Sequence, residues 1–322
     1  MRIVVIGSGA MGGLFGAKLA ATGNDVLLYD TWSEHVAAIE RMGLSIEGLD
    51  NTVVRYRVRA TDQPPRDLDD VELILVQVKG YDTLNALRPF NGRLNPETFV
   101  LSLQNGLGNL EQMRAALPGH HRILLGTTAH GSTVLGPGRI RHAGKGATTI
   151  GDPAITATPR FALGPIRTTF IQAGFDTDIA TNIHSAVWAK LISNVVINPL
   201  TALTGLRNGE LLDDPRIVAM MEAVIAEALA VMEAAGVPPS VDDFYQHARR
   251  VMEMTRPNVS SMLQDIRAGR RTEIESINGA IAHLGKELGV ATPVNNWLTA
   301  LVQHREKDAM RGTRDSGTGN RG

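Results

Sequence analysis

The chain has 322 residues, more than one hydrophobic core usually serves, so two domains are expected, and a 43% hydrophobic content is ample to fill them. A formal net charge of −1 with no long basic run excludes the electrostatic footprint of a nucleic-acid or anionic-membrane binder. The absence of cysteine excludes disulfides, a thiolate nucleophile and cysteine-ligated metal, and no metal site of any kind is expected.

Residues 2–6 form a short apolar run that ends in Gly7-Ser8-Gly9-Ala10-Met11-Gly12, followed by a helical pattern over 13–22 and a stop at Gly23. A G-x-G-x-x-G directly after a strand and opening a helix is the setting in which the motif binds a dinucleotide. Its glycines permit a tight turn and bring backbone N–H groups close to a pyrophosphate at the positive helix end. The start runs straight into this strand with no charged leader, and no apolar run reaches the roughly 18 residues of a membrane span, so a cytoplasmic protein is expected.

A second strand over 25–29 ends at Asp30, 18 residues past Gly12. An acid there accepts hydrogen bonds from the adenosine ribose hydroxyls and repels a 2′-phosphate, which favours NAD(H) over NADP(H). The other role open to Asp30 is capping the next helix, for which Ser33 is at least as good a candidate. The apolar runs 71–78 and 99–103 read as buried parallel strands ending at Lys79 and at Gln104-Asn105-Gly106. Ligands of open α/β sheets bind beyond the carboxyl ends of the strands, so Lys79 and Asn105 are candidates to face cofactor and substrate; a solvated cation and plain turn chemistry are the alternatives. A strand over 122–127 leads to turn residues at 136–144 and a further run at 147–150. These predict an antiparallel hairpin closing the sheet, with 127–131 as a loop. A helix over 159–172 and a strand over 175–179 complete this half.

From Asn182 strand signals vanish. The stretch HSAVWAKLISNVVINPLTALTG, residues 184–205, places Lys190, Asn194 and Asn198 at i, i+4 and i+8, a polar stripe on an otherwise apolar helix. A lone ammonium among such neighbours loses solvation, and its pKa falls toward the range useful for proton transfer; a snorkelling Lys beside two satisfied amides is the structural alternative. Asp214-Pro215 opens a helix ended by Gly236, and Ser240 with Asp243 starts another. Beyond Pro257, helices are predicted over 258–267, from Thr272 to Gly289, and over 293–310, followed by a disordered tail from Gly312. Ser260 and Ser261 at a helix start can hold a carboxylate or simply cap the helix. Glu273, placed in a first helical turn, is favoured there by the helix dipole whatever else it does. The division of the chain is expected at 1–181, 182–311 and a tail, 312–322.

Together these motifs resemble the ketopantoate reductase family over nearly the whole chain. The resemblance is carried by Gly7 to Gly12, Val78-Lys79, Gln104-Asn105-Gly106, and Trp188-Ala-Lys190-Leu with Asn194-Val-Val-Ile-Asn198-Pro-Leu-Thr201. It is carried further by Asn258-Val-Ser-Ser261-Met-Leu-Gln-Asp265, Thr272-Glu273-Ile-Glu275 and Ile277-Asn278-Gly279. It implies an α/β N-terminal Rossmann domain and an all-α C-terminal domain of the 6-phosphogluconate-dehydrogenase-like kind, with the active site in the cleft between them. It also implies Lys190 as general acid and Glu273 as the residue holding the hydrogen-bond network and the substrate hydroxyl. Ser261, Asn194 and Asn198 would bind substrate, with Lys79 and Asn105 beside cofactor and substrate. The implied reaction is NAD(P)H-dependent reduction of a 2-oxo acid, ketopantoate, to the D-2-hydroxy acid. The chain departs from the family at Asp30-Thr31, where NADPH-using members typically carry an Arg; NADP(H) is thus implied by resemblance and NAD(H) by Asp30. NAD-dependent D-2-hydroxyacid dehydrogenases for branched or aromatic substrates are the alternative within enzymes. A non-catalytic dinucleotide sensor is the alternative outside them, although it would not need Lys190, Glu273 and Ser261 together. The apolar helices of the second half are candidates for a homodimer interface.

Overall fold

Isoleucine and valine fill the first strand, β1 (Arg2–Ile6), which is buried from Ile3 onward and paired in parallel on both edges. Ile3 sits beside Val26 and Leu73, and Ile6 beside Tyr29 and Val76. Helix α1 (Ala10–Ala21) follows, and at Gly23 the chain turns with φ +86° into β2 (Asp25–Tyr29). This computed structural model describes residues 1–154 and 160–318, the last seven as backbone alone. The chain divides into two compact units: Met1–Gln104 with Gly108–Ala186, and Asn105–Leu107 with the chain from Val187 onward.

After β2 come α2 (Ser33–Met42), β3 (Leu44–Glu47), β4 (Val53–Tyr56) and β5 (Arg59–Thr61). These three strands have no counterpart in the sequence reading. β4 is largely exposed and β5 is three residues long, so neither leaves a buried apolar run in the sequence. Then follow β6 (Leu73–Val76), α3 (Thr83–Leu87), β7 (Phe99–Ser102), α4 (Asn109–Ala116) and β8 (Ile123–Thr128). The remainder of this unit is β9 (Gly131–Gly136), β10 (Arg139–Gly144), β11 (Thr148–Gly151), α5 (Gly164–Gln172) and β12 (Thr177–Ile179).

The main sheet runs β12-β11-β8-β7-β6-β1-β2-β5 and is parallel except where β11 meets β8. Strand order reverses at β1, which lies between β2 and β6, the switch point where open α/β sheets bind ligands. The predicted hairpin over 136–144 and 147–150 does not form as one pair in the main sheet. Instead β10 pairs with β9 in a separate sheet, ordered β4-β3-β10-β9, while β11 joins the main one. Gly136 and Gly138, both at positive φ, make the tight turn of β9-β10, so the turn signal belongs to the preceding pair of strands. Residues 127 and 128 lie within β8 and Gly131 opens β9, so the expected loop shrinks to Ala129 and His130. The helix expected over 159–172 begins at Gly164; Pro159 lies outside the described residues.

Helix α6 (Ile183–Thr204) crosses into the second unit, which continues with α7 (Pro215–Ala234), α8 (Phe244–Met254), α9 (Ser261–Arg267), α10 (Asn278–Leu288) and α11 (Pro293–Thr318). By length and composition α6 could cross a membrane, contrary to the expectation of no such run. Most of it is buried, as the core helix of a folded unit would be: Trp188, Leu191, Ile192, Val195, Val196 and Leu200 pack with Val224 and Ile225 of α7 and Ile281 of α10. Asp214 caps α7 by accepting from the Arg216 N–H, and Asp243 caps α8 through the Gln246 N–H. The helix expected from Asn258 starts at Ser261, because Ser260 is extended and accepts from the Leu263 N–H at 3.1 Å. The helix expected from Thr272 is a 3-10 turn, Ile274–Ser276, and then α10 from Asn278, so Glu273 does not lie in the first turn of an α-helix. Backbone helix α11 extends beyond Met310 to Thr318, past the Gly312 where a disordered tail was expected; residues 319–322 lie outside the described residues.

Candidate active site

The first part of the site is the turn at the carboxyl end of β1. Gly7 has φ +91°, and a Cβ there would lie 2.6 Å from the Val78 nitrogen just beyond β6. A Cβ at Gly12 would lie 1.8 Å from the Gly7 oxygen. Both glycines are therefore required by the protein's own packing. Gly9 is different: its φ is negative, and a Cβ there would meet nothing within 4 Å. No side chain caps α1, so the N–H groups of its first turn, at Ala10, Met11 and Gly12, are left to another acceptor. An approachable Gly9 backbone and an uncapped helix end fit a pyrophosphate.

Asp30 is more engaged than a free ribose acceptor would be. Its Oδ2 accepts from the Ser8 N–H at 2.7 Å and the Ser8 hydroxyl at 3.2 Å, and its Oδ1 accepts from the Trp32 N–H at 2.9 Å. It thus holds the glycine turn in place, and its Oδ1, which accepts one bond, retains a lone pair for a ligand hydroxyl. Ser33 is the first residue of α2 and caps nothing, since Trp32 holds the N-cap position without a side-chain bond. Two residues that no sequence motif singles out for a role support this corner. His35 is fully buried, with Nε2 at 3.0 Å from the Ser8 carbonyl and Nδ1 accepting from the Gly138 N–H at 3.0 Å. Donation to one and acceptance from the other requires a neutral imidazole, and burial lowers its pKa accordingly. Gln104 donates to the Val78 carbonyl and to the Thr83 hydroxyl, both at 2.7 Å, tying the end of β7 to the segment that carries half-buried Lys79.

The second part lies in the helical unit. Lys190, Asn194 and Asn198 fall on successive turns of α6, as the stripe predicted; Lys190 and Asn194 are partly buried and Asn198 is buried. Burial pushes the Lys190 ammonium down to about 8, and the Glu273 carboxylate acts in the opposite direction. Glu273 is buried and accepts from Asn105 Nδ2 at 3.4 Å. Asn105 is brought there because Gly106, at φ +80°, packs so closely on Ser276 that a Cβ would lie 2.2 Å from its carbonyl oxygen. The adjacent Leu107 N–H donates to that oxygen at 2.8 Å. Residues 105–107, read from sequence as the end of a Rossmann strand, thereby group with the helical unit.

Ser261 is exposed at the start of α9, whereas Ser260 is buried, caps the helix and meets the Thr201 hydroxyl at 2.6 Å. The capping role thus falls to Ser260. Beside Glu273, Thr272 is clamped by Glu306 of α11, which accepts from the Thr272 N–H at 2.8 Å and from its hydroxyl. Such an arrangement can donate a proton from Lys190 near neutrality and can hydrogen-bond a small polar ligand. Among the described residues no cluster of three or more His, Asp or Glu could hold a metal ion.

Residues 3–154 match the family model described as ketopantoate reductase PanE/ApbA, and residues 182–306 the model of its C-terminal domain. The 2-dehydropantoate 2-reductase of Halobacterium salinarum is 38% identical over 310 residues, covering 96% of this chain and all of that one. That of Pyrococcus abyssi is 34% identical, covering 95% and 98%. Among solved structures, a D-mandelate dehydrogenase with NADH and anilino(oxo)acetate superposes with a TM-score of 0.89 at 28% identity, covering 96% and 99%. A ketopantoate reductase from Ralstonia eutropha JMP134 superposes with a TM-score of 0.85 at 33% identity over the same shares.

Proposed function

Because the chain belongs to the ketopantoate reductase family of NAD(P)H-using oxidoreductases acting on a CH–OH group, we propose that it reduces 2-dehydropantoate to pantoate with Lys190 as the proton donor. The observation that carries this reading is the Lys190 ammonium, pushed to about 8 by burial on a helix shared with Asn194 and Asn198. A reduced nicotinamide, when bound, would be the hydride source for C2 of the oxo acid. Lys190 gives its proton to the carbonyl oxygen, so the substrate gains one hydride and one proton and leaves as the 2-hydroxy acid. Glu273 keeps Lys190 protonated at neutral pH and, with Asn105, holds the new hydroxyl. Asn194, Asn198 and Ser261 bind the carboxylate and hydroxyl of the substrate, as hydrogen-bonding groups that bring no competing negative charge. The turn from Gly7 through Ser8, Gly9, Ala10 and Met11 to Gly12, with Asp30 and Lys79, binds the cofactor, and Asp30 favours NADH.

A second reading, an NADH-dependent D-2-hydroxyacid dehydrogenase for aromatic or branched acids, is favoured by Asp30 and by the likeness to the NADH-bound D-mandelate dehydrogenase. The test is one panel of 2-dehydropantoate, 2-oxoisovalerate and phenylglyoxylate, each run with NADH and with NADPH and read at 340 nm. The highest kcat/KM on 2-dehydropantoate is expected. A preference for phenylglyoxylate would replace the first reading by the second, and no turnover on any acid despite NADH binding would overturn both.

A further inference from the structure

We propose that Asn278 is a positioning residue for the proton-donating helix: its side-chain amide takes over the backbone bond that Pro199 deletes from α6, fixing the bend on which Lys190, Asn194 and Asn198 are presented. This rests on the role given to Lys190 above. Pro199 lies inside α6 and has no N–H, so the carbonyl four residues earlier, that of Val195, loses its helical partner and is pushed aside by the proline ring. Val195 is fully buried, out of reach of water. Asn278 at the start of α10, also fully buried, donates to the Val195 carbonyl from Nδ2 at 2.8 Å.

The orientation of that amide is dictated from two helices away. Glu227 of α7 accepts from the Val294 N–H at 2.8 Å, the Asn295 N–H at 2.9 Å and Asn295 Nδ2 at 2.8 Å, capping α11. The nitrogen of the Asn295 amide must therefore face Glu227, which turns its Oδ1 to Asn278 Nδ2 at 3.0 Å. Both Asn278 N–H groups are then committed, and its Oδ1 is buried with no partner among the described residues. A buried unpaired acceptor is unfavourable, and a leucine of similar size would pack without it, so packing alone does not account for asparagine here.

The captured carbonyl lies between the turns of α6 that carry Lys190 and Asn194 on one side and Asn198 on the other. A change of bend there moves one set of substrate contacts relative to the proton donor, and displacements of about 1 Å cost on the order of 100-fold in rate. Thr201 adds a side-chain bond in the same stretch, its hydroxyl lying 2.7 Å from the Ile197 carbonyl.

The experiment is a cycle of N278A, P199A and the double variant, read by urea unfolding, by NADH titration and by kcat on the preferred 2-oxo acid. The substitution P199A restores an N–H for the Val195 carbonyl, so N278A should lower the urea midpoint much less in the P199A background than in the wild type. The double variant, with that stability recovered, should still show kcat at least tenfold below wild type and an NADH Kd within twofold. Additive losses of stability would overturn the carbonyl capture, and wild-type kcat in the double variant would overturn the positioning role. Should N278A alone fail to fold, a folded double variant supports the capture, and an unfolded double beside a folded P199A refutes it. If the wild type reduced no 2-oxo acid at all, the functional reading would fail while the unfolding cycle would still decide the capture.

Discussion

Lys190 sets what pH should do to turnover. With its ammonium, lowered to about 8, in the proposed role of proton donor, the active form is the protonated one and kcat for oxo-acid reduction should fall about tenfold per unit above pH 8. Glu273 raises this pKa, so Glu273→Gln should move the limb to lower pH as well as reduce the rate, and a limb that stays in place would remove Glu273 from the Lys190 environment. Lys190→Ala should lower kcat by roughly 10² to 10⁴, the usual worth of a general acid, with NADH affinity unchanged. The two glycines Gly9 and Gly12 separate binding from folding. Gly12→Ala drives a Cβ into the Gly7 carbonyl and should cost about 1–3 kcal/mol or more in urea unfolding. Gly9→Ala meets no protein atom and should cost at most about 1 kcal/mol, as a poorer N-cap, while weakening NADH binding tenfold or more by titration. Wild-type affinity in Gly9→Ala would show that the turn does not hold the cofactor.

At the level of elements, the segment presenting Glu273 depends on a carboxylate from a helix far along the chain. Glu306→Ala leaves the Thr272 N–H and hydroxyl buried without their acceptor and should lower unfolding free energy by about 2 kcal/mol. A loss below about 0.5 kcal/mol would mean that the clamp is dispensable. That clamp was invisible in the sequence because Thr272 and Glu306 are 34 residues apart and no local pattern links them. What could be read was local and periodic: β1, the glycine turn and β2, the buried strands near 73–76 and 99–102, and the polar stripe on α6 all announce themselves within a dozen residues. What escaped was decided by partners distant in the chain. β3 and β4 are strands because they pair with each other and β3 with β10, and Asn278 stood out only as part of a family pattern, its link to Pro199 lying across 79 positions. Turn chemistry around Gly136 and Gly138 was legible, but which strands it joined was not, since 147–150 alternates as convincingly as 131–136.

For the molecule as a whole, buried neutral histidines make acid the weak direction, and unevenly so. His35, His120, His130 and His142 lie in the dinucleotide-binding unit, and burial lowers the pKa of each below the ordinary value, that of His130 to about 4. In the helical unit, burial lowers the pKa of His247. A histidine with a lowered folded pKa takes up its proton more readily when unfolded, so its stabilisation is whole above pH 6.5 and is lost as pH falls toward its folded value. Each such group contributes at most about 1.4 kcal/mol per pH unit over that window. The losses of the four accumulate in one unit as pH falls below 6.5. The His130–His142 pair, with Nδ1 and Nε2 at 3.1 Å, adds a second penalty, because protonating both rings would turn their hydrogen bond into a repulsion beside Lys18. Calorimetry at pH 7.5 and pH 5 should therefore show the dinucleotide-binding unit losing stability first. A low-temperature transition should separate at pH 5, and it should move back up in His130→Phe, which fills the niche against Phe15 and Phe175 without a titrating ring. Equal acid shifts of both transitions, or a His130→Phe variant as acid-sensitive as the wild type, would place the sensitivity outside these histidines.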